Sequence, residues 1–403
     1  MVEIRTLTEA DVVEYQTHVE SVFGGDYDEQ EAAAWRPLIE LDRNHAAVDD
    51  GRIVGSAGVF TFDMTAPGGP VPTAGVTVVG VAATHRRQGI LTRLMRTQLD
   101  AIRERDAEPV AALWASEAVI YGRFGYGVAA RRLNVTLDAR EPELLGAPPR
   151  GRVRVVDDLA DIAPPLYDAV RAARPGMISR DERRWPARLC DLPQHRHGAG
   201  QQRNVVYEVD GAVRGYAMYR LKPSWDPGPR GEVRVKELVH LDADAHAGLW
   251  RYLTSIDLMP LTTYDNVPPD DALFHRLRDP RLVRVNGFVD GVHVRVLDVA
   301  RAFEARSYDG SARLVVDVVD GFGGYASGRW ALDVSPDGVS CAPTDAFADV
   351  TMGAAELGAL YLGDTTLREL HLAGRVDEHT PDAVEKASPA LAWPVRAWCP
   401  EIF

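Results

Sequence analysis

Two arginines beside a glycine, set between an apolar strand and an amphipathic helix, can hold a pyrophosphate. One stretch of this chain has that layout: Val76-Thr77-Val78-Val79-Gly80-Val81-Ala82-Ala83-Thr84-His85-Arg86-Arg87-Gln88-Gly89-Ile90-Leu91-Thr92-Arg93-Leu94. Free amides at a helix start point outward and the helix dipole adds partial positive charge, so Arg86, Arg87 and the backbone after Gln88 would converge on an anion. Gly89 lets that backbone approach closely. A second group with chemical potential is the phenol of Tyr121, in Ala115-Ser116-Glu117-Ala118-Val119-Ile120-Tyr121-Gly122-Arg123-Phe124-Gly125-Tyr126-Gly127. A third is the end of the chain, Trp393-Pro394-Val395-Arg396-Ala397-Trp398-Cys399-Pro400-Glu401-Ile402-Phe403, which is too aromatic for a frayed tail. Singly, each has a plain alternative. Arg-Arg-x-Gly is an ordinary surface turn, Tyr121 a core aromatic ending a short helix capped by Gly122, and the tail packing on the last domain or at a subunit interface.

The elements that would position these groups are legible around them. Val76, Val78 and Val81 predict a strand, and Ile90, Leu91, Leu94, Met95, Leu99 and Ile102, at three- and four-residue spacings, predict the helix that follows. Upstream, Val2 to Leu7 reads as a first strand, Thr8-Glu9-Ala10-Asp11 as a helix start and Asp50-Gly51 as a turn between two strands. The rival phosphate cradle, G-x-x-x-x-G-K-[ST], occurs nowhere in the chain. Gly321-Phe322-Gly323-Gly324-Tyr325-Ala326 satisfies a dinucleotide pattern, but Gly328 to Val334 reads as a strand where that pattern needs a helix, so a glycine-rich hairpin is predicted. His195-Arg196-His197 has no partner at zinc-like spacing and reads as a loop, so no metal is predicted.

At 403 residues and 46% hydrophobic, the chain is long enough for two or three domains with sizeable cores. A net charge of -14 argues against nucleic acid or an anionic membrane as partner. It suits a cationic substrate, and is equally common among soluble proteins with no such substrate. Cys190, Cys341 and Cys399 are too few and too scattered for a disulfide framework or zinc cage. With no apolar run of transmembrane length and an acidic, amphipathic start, the expected location is cytoplasmic.

The chain also repeats itself at an offset near 160 residues. Asp50-Gly51-Arg52-Ile53-Val54-Gly55 recurs as Asp210-Gly211-Ala212-Val213-Arg214-Gly215, and the anion-binding stretch recurs over Val233 to Leu253. Gly248 then falls under Gly89, but Ala245 and His246 replace Arg86 and Arg87, and Asp242 and Asp244 would repel a pyrophosphate. The second copy reads as a scaffold that lost its ligand. A linker is predicted over Glu141 to Gly151, rich in proline and glycine, and a second boundary near residue 289, before the strand-like Val292-His293-Val294-Arg295-Val296-Leu297.

The pattern V-x-V-x-x-x-x-x-R-R-x-G-[IL]-L is similar to the acetyl-CoA signature of GNAT-type N-acetyltransferases. Together with A-S-E-x-x-I-Y-G-R-F-G-Y-G it makes the whole chain resemble the enhanced-intracellular-survival (Eis-like) type of actinobacterial acetyltransferase. The resemblance implies an α/β fold: tandem GNAT domains with mixed, splayed central sheets over 1–148 and 149–288, the second degenerate, then a sterol-carrier-protein-like α+β domain over 289–403. It implies acetyl-CoA as cosubstrate, held by Val78, Val79, Gly80, Val81, Arg86, Arg87, Gln88, Gly89, Ile90, Leu91 and Ser116. Ser116 is also expected to N-cap the helix carrying Tyr121. By resemblance Tyr121 is the general acid, Tyr126 a packing residue, and Phe403 a terminal residue whose α-carboxylate reaches the first domain's active site. Asp26, Trp35, Trp114 and Glu401 correspond to the amine-binding pocket, Trp114 standing where relatives can carry histidine. The implied acceptor is an amine of a cationic small molecule, of aminoglycoside or polyamine type, and the implied assembly is a homo-oligomer, a hexamer. The competing readings are a protein-lysine or other metabolite acetyltransferase, and a non-catalytic acyl-CoA or lipid-binding module.

Overall fold

The computed structural model describes residues 2–140 and 142–403; Glu141, where the predicted linker begins, lies outside them. The chain divides into two compact units. One holds the residues up to Ala130, Pro175–Ser179 and Asp290–Phe403, and the other Arg131–Arg174 and Arg180–Val289.

The first unit begins with strands β1 (Glu3–Thr6), β2 (His45–Asp49), β3 (Arg52–Ala66), β4 (Gly69–Val81), β5 (Val110–Trp114) and β6 (Gly127–Val128). Among these strands lie helices α1 (Val12–Phe23), α2 (Glu29–Trp35), α3 (Ile90–Arg105) and α4 (Ala118–Tyr121). Asp50 (φ 47°) and Gly51 (φ 75°) are both left-handed, the turn that matches the twist of paired strands, and it joins β2 to β3. Beneath the sheet, α3 buries Ile90, Leu94, Met95, Leu99 and Ile102 almost completely. Each such side chain contributes about 1.5–3 kcal/mol of transfer free energy.

Parallel pairing of β4 with β5 covers only Thr73–Gly75 against Val110–Ala112. β4 runs on to Val81, so beyond Gly75 the two strands part, and Gly75 is the vertex of the gap. On its other edge β4 carries a bulge: Ser56 pairs with Gly80 and Gly58 with Thr77, leaving Val78 and Val79 opposite Ala57. Val78 takes φ 47°, a strained conformation for a β-branched residue, and Ser56 Oγ donates to its carbonyl at 2.7 Å. The ring of Phe62 lies over Gly75, where a Cβ would come within 2.1 Å of it.

The second unit contains β7 (Arg131–Asp138), β8 (Arg152–Val156), β9 (Arg203–Val209), β10 (Ala212–Lys222), β11 (Glu232–His240), β12 (Leu261–Val267) and β13 (Val283–Asp290), in the order β13-β7-β12-β11-β10-β9-β8. Its helices include α5 (Ala163–Arg171), α6 (Arg184–Leu189) and α7 (Ala243–Leu253). Asp210 and Gly211 repeat the left-handed turn at φ 50° and 84°. β11 pairs in parallel with β12 over Glu232–Val235 alone and continues to His240, which reproduces the parted strands of the first unit. The repeat in the sequence is therefore a repeat of the fold.

Two strands differ from the expected boundaries. β7, placed by the sequence in a first domain ending at 148, belongs to the second sheet beside β12. β14 (Val292–Val296), expected to open the third domain, enters the first sheet between β5 and β6, with Val292 opposite Trp114 and Val296 opposite Val110. The alternation of Val292, Val294 and Val296 announces a strand but cannot name its partner.

The rest of the first unit contains a five-stranded sheet of β15 (Ala312–Val319), β16 (Gly328–Ser335), β17 (Gly338–Pro343), β18 (Val350–Gly353) and β19 (Val376–Glu378), ordered β17-β16-β15-β18-β19, with further helices about it. Residues 321–326 connect antiparallel β15 and β16, the predicted hairpin. Arg295 of β14 is sealed from solvent and donates to both carboxylate oxygens of Asp320 (2.8 and 3.0 Å) and to the Phe322 carbonyl (2.5 Å). No helix of the described residues is long and apolar enough to cross a membrane.

Candidate active site

A cleft of about 690 Å³ lies where β4 and β5 part. One wall is Val79, Gly80 and Val81, the floor is Arg86, Arg87, Gly89, Ile90 and Leu91, and the opposite wall is Ser116 and Tyr121. Val78 and Gln88 do not line it. Val22, Phe23, His85, Thr92, Glu117, Ile120 and Arg123 also line it, and the sequence reading missed them. Glu117, Ile120 and Arg123 sit inside the segment already singled out. Val22 and Phe23 carried no local signal, since they reach the cleft only because α1 ends against β4, with Val22 so close that a Cβ on Gly80 would be 2.5 Å from it.

The floor suits a pyrophosphate. Gly89 starts α3 in the left-handed conformation (φ 77°) with no side-chain cap, and nothing stands within 4 Å of where its Cβ would be. The amides of the first turn thus face the cleft without a side-chain acceptor, flanked by two guanidinium groups. The second copy is closed at the same point. Asp242 caps α7 by accepting from Ala245 N at 2.8 Å and is itself held by Arg214, while Asp244 accepts from the Tyr207 hydroxyl at 2.7 Å. Deeper in, Glu237, which occupies the place of Val78 in the repeat, is fully buried between Arg180 (2.7 Å), Arg188 (2.7 Å) and the Tyr216 hydroxyl (2.7 Å). Burial opposes its charge, but the two guanidinium groups outweigh that and hold the carboxyl well below its ordinary range.

Tyr121 ends α4, 5% exposed, with its ring edge-on to Tyr126 at 6.2 Å. Burial, with the Glu117 carboxylate nearby, raises its hydroxyl above the ordinary tyrosine value, and a hydrogen bond with Ser116 pulls it part of the way back. The expected capping role of Ser116 is not seen: Glu117 occupies the N-cap of α4, and no side chain caps it. Gly122 is not a left-handed cap either. It continues in right-handed conformation into a further turn, Gly122–Phe124, which Gly125 ends at φ 80°.

The tail is buried. Phe403 is 8% and Glu401 4% exposed, and the Phe403 ring meets Phe62 edge-on at 4.9 Å. Since Phe62 covers Gly75, Phe403 meets edge-on the ring that closes the vertex of the gap. Trp114, at the end of β5, packs against the same apolar cluster as Phe403. Asp26 and Trp35 lie before and at the end of α2, exposed, and neither they nor Trp114, Glu401 and Phe403 line the cleft itself.

Comparison with known proteins agrees along the chain. The sequence profile of the acetyltransferase (GNAT) domain matches residues 3–129, a second GNAT profile matches 176–296, and that of the sterol carrier protein domain matches 299–400. An uncharacterized N-acetyltransferase of Streptomyces avermitilis is 40% identical, with 96% of each chain covered. N-acetyltransferase Eis of Mycobacterium tuberculosis is 34% identical over 90% of each. The crystal structure of Eis1 from Mycobacterium abscessus superposes with a TM-score of 0.87 at 31% identity, covering 100% of both chains. Tandem GNAT folds with one open and one closed helix start, followed by a sterol carrier domain, place this chain in the Eis-like family of GNAT N-acetyltransferases.

Proposed function

We propose that the first copy transfers an acetyl group from acetyl-CoA to an amine of a cationic small molecule, of aminoglycoside or polyamine type, by direct transfer with both substrates bound. The observation that carries this is the uncapped start of α3, with Arg86 and Arg87 at the floor of a cleft whose walls are the unpaired end of β4 and Tyr121. Acetyl-CoA supplies the activated acyl group. The chain's own part is to hold its pyrophosphate on Arg86, Arg87 and the α3 amides, with Val79 to Val81 and Ser116 along the rest.

The amine must lose a proton before it can attack, and the acceptor is the Phe403 α-carboxylate, aided by Glu401 or a water. An ordinary α-carboxyl, with a pKa of about 3.3–3.7, is a weak base, so this role requires that the carboxylate be desolvated when the amine is bound. As the N–C bond forms, charge developing on the carbonyl oxygen is met by a backbone amide of Val78 to Val81. As the C–S bond breaks, Tyr121 gives its proton to the leaving sulfur. Asp26, Trp35, Trp114 and Glu401 are proposed to receive the amine, and the net charge of -14 favours a cationic one. A hexameric assembly is proposed from the family likeness alone, and a cytoplasmic location from the absence of an apolar run of transmembrane length and the acidic, amphipathic start. A protein-lysine or other metabolite acceptor is the second reading, since the cleft reports the donor side more fully than the acceptor side. Release of free thiol from acetyl-CoA, measured against a panel of aminoglycosides, polyamines, small metabolites and lysine peptides, tests the proposal. Turnover confined to lysine peptides rejects the small-molecule reading, and no turnover with any amine rejects both.

A further inference from the structure

Between α5 and α6 the chain leaves the second unit for five residues, Pro175–Ser179, which belong to the first. They lie along β3 past the point where its pairing with β2 stops. Gly176 N donates to the Thr65 carbonyl at 2.8 Å, Thr65 N to the Met177 carbonyl at 2.8 Å, and Ser179 N to the Asp63 carbonyl at 2.7 Å. Asp63 N donates in turn to Ser179 Oγ at 3.0 Å. Met177 and Ile178 are wholly buried. On its other side the same segment holds the tail, Trp398 N donating to the Pro175 carbonyl at 2.8 Å. Gly176 is left-handed (φ +91°), and a Cβ there would stand 3.0–3.2 Å from the Trp398 backbone. Farther along, Phe403 rests on Phe62, the neighbour of Asp63.

We infer that Pro175–Ser179 is a clasp that fixes the distance between the tail and β3, and so sets where the terminal carboxylate falls, with Gly176 as its positioning residue. The inference rests on the reading of that carboxylate as the base. A base must come within about 2.6–3.2 Å of the proton it takes, and misplacement by about 1 Å can cost as much as 10²-fold in rate. The tail is anchored to the clasp by backbone at Trp398 and to β3 by the Phe403 ring, so the thickness of the clasp decides whether both contacts can be made together. Glycine is required at 176 twice over, by its φ and by the approach of Trp398.

The test compares Gly176→Ala, Ser179→Ala, Ser179→Thr and deletion of Phe403 in the full chain. It uses the best amine of the panel, kcat from about pH 6 to about pH 9, and CoA affinity by calorimetry. The expected result for Gly176→Ala is a kcat lowered about tenfold or more at the acid end and less at the alkaline end, where the amine arrives already deprotonated. CoA affinity is unchanged, Ser179→Thr is closer to wild type than Ser179→Ala, and adding the Phe403 deletion to Gly176→Ala costs nothing beyond the deletion alone. An equal proportional loss at every pH, or additive losses in the combined variant, marks general destabilisation and overturns the clasp. Full activity after deletion of Phe403 overturns the base and the clasp with it. Loss on deletion with wild-type kinetics in both Gly176→Ala and Ser179→Ala leaves the base standing and overturns the clasp alone. Should Gly176→Ala fail to fold, the two Ser179 variants decide by the same pH profile.

Discussion

The Phe62 ring covers Gly75 so closely that a β-carbon on Gly75 would lie 2.1 Å from Cε1 of Phe62. This contact sits at the residue where β4 and β5 cease to pair, so the shape of the gap and the seat of the Phe403 ring depend on one glycine. Gly75→Ala is expected to destabilise the protein by about 1–3 kcal/mol through overpacking. Phe62→Leu in the same chain should recover part of that, because the smaller side chain vacates the space. Denaturant unfolding of the two variants and wild type checks it, and equal stability of Gly75→Ala and wild type would contradict the packing described.

Arg86→Ala and Arg87→Ala should each weaken CoA binding about 10- to 100-fold, the worth of one charge-assisted hydrogen bond of about 1.5–3 kcal/mol. Ala245 and His246 occupy the matching places in the second copy, where Asp242 already fills the start of α7. Substituting Ala245 by serine should leave CoA affinity unchanged. A comparable loss there, read by calorimetry, would mean that the second copy also binds the ligand.

For Tyr121→Phe the expected outcome is a kcat lowered about 10²-fold or more with CoA affinity within a factor of about three, since only the transferable proton is lost. Burial keeps the hydroxyl above its ordinary value, so Tyr121 stays protonated through the neutral range and should set no limb of the pH–rate profile below about pH 10. A basic limb near neutrality that vanished in Tyr121→Phe would show the residue titrating where it should not.

His240 supplies an acid sensitivity to the second unit. Burial, reinforced by the His246 ring 4.8 Å away, lowers its pKa from 6.5 to about 4. A histidine kept neutral by folding binds more protons unfolded. Its contribution to stability is therefore complete above about 6.5 and is lost as pH falls through about 4. Hydrogen exchange in β11 and α7, corrected for intrinsic rates, should show protection about tenfold or more weaker at pH 5 than at pH 8. His240→Phe should flatten that difference, and an unchanged pH dependence would assign the effect to another group.

The sequence disclosed what is local or repeated. The strand before Arg86, the helix after Gly89, the two Asp-Gly turns and the hairpin at 321–326 are each written in a few consecutive residues. The differing chemistry of the second copy was also legible, because Ala245 and His246 stand where Arg86 and Arg87 do, with Asp242 and Asp244 beside them. What it could not show is partner choice over long distances. The valines of β14 carry the same alternation whether they join β5 or a sheet of their own. Pro175–Ser179 has no pattern that directs it to Asp63–Thr65, and Val22 reaches Gly80 only through the packing of α1. Ser116 reads as a helix cap by residue type, yet α4 begins one residue later, and the hydroxyl is left to Tyr121.

The lodging of β14 between β5 and β6 has a consequence for how the protein is made. A ribosome releases β5 and β6 long before Val292–Val296, and until those residues emerge the edge of β5 waits without the neighbour that will separate it from β6. Such late, distant pairings slow folding and leave a sticky edge open meanwhile. A polypeptide cut at Pro148 would keep that edge for good and would also lack the acid that neutralises Arg295, together with Arg295 itself. The N-terminal acetyltransferase sheet can thus be completed only after translation has passed Val296, when the residues of the second unit have already left the ribosome.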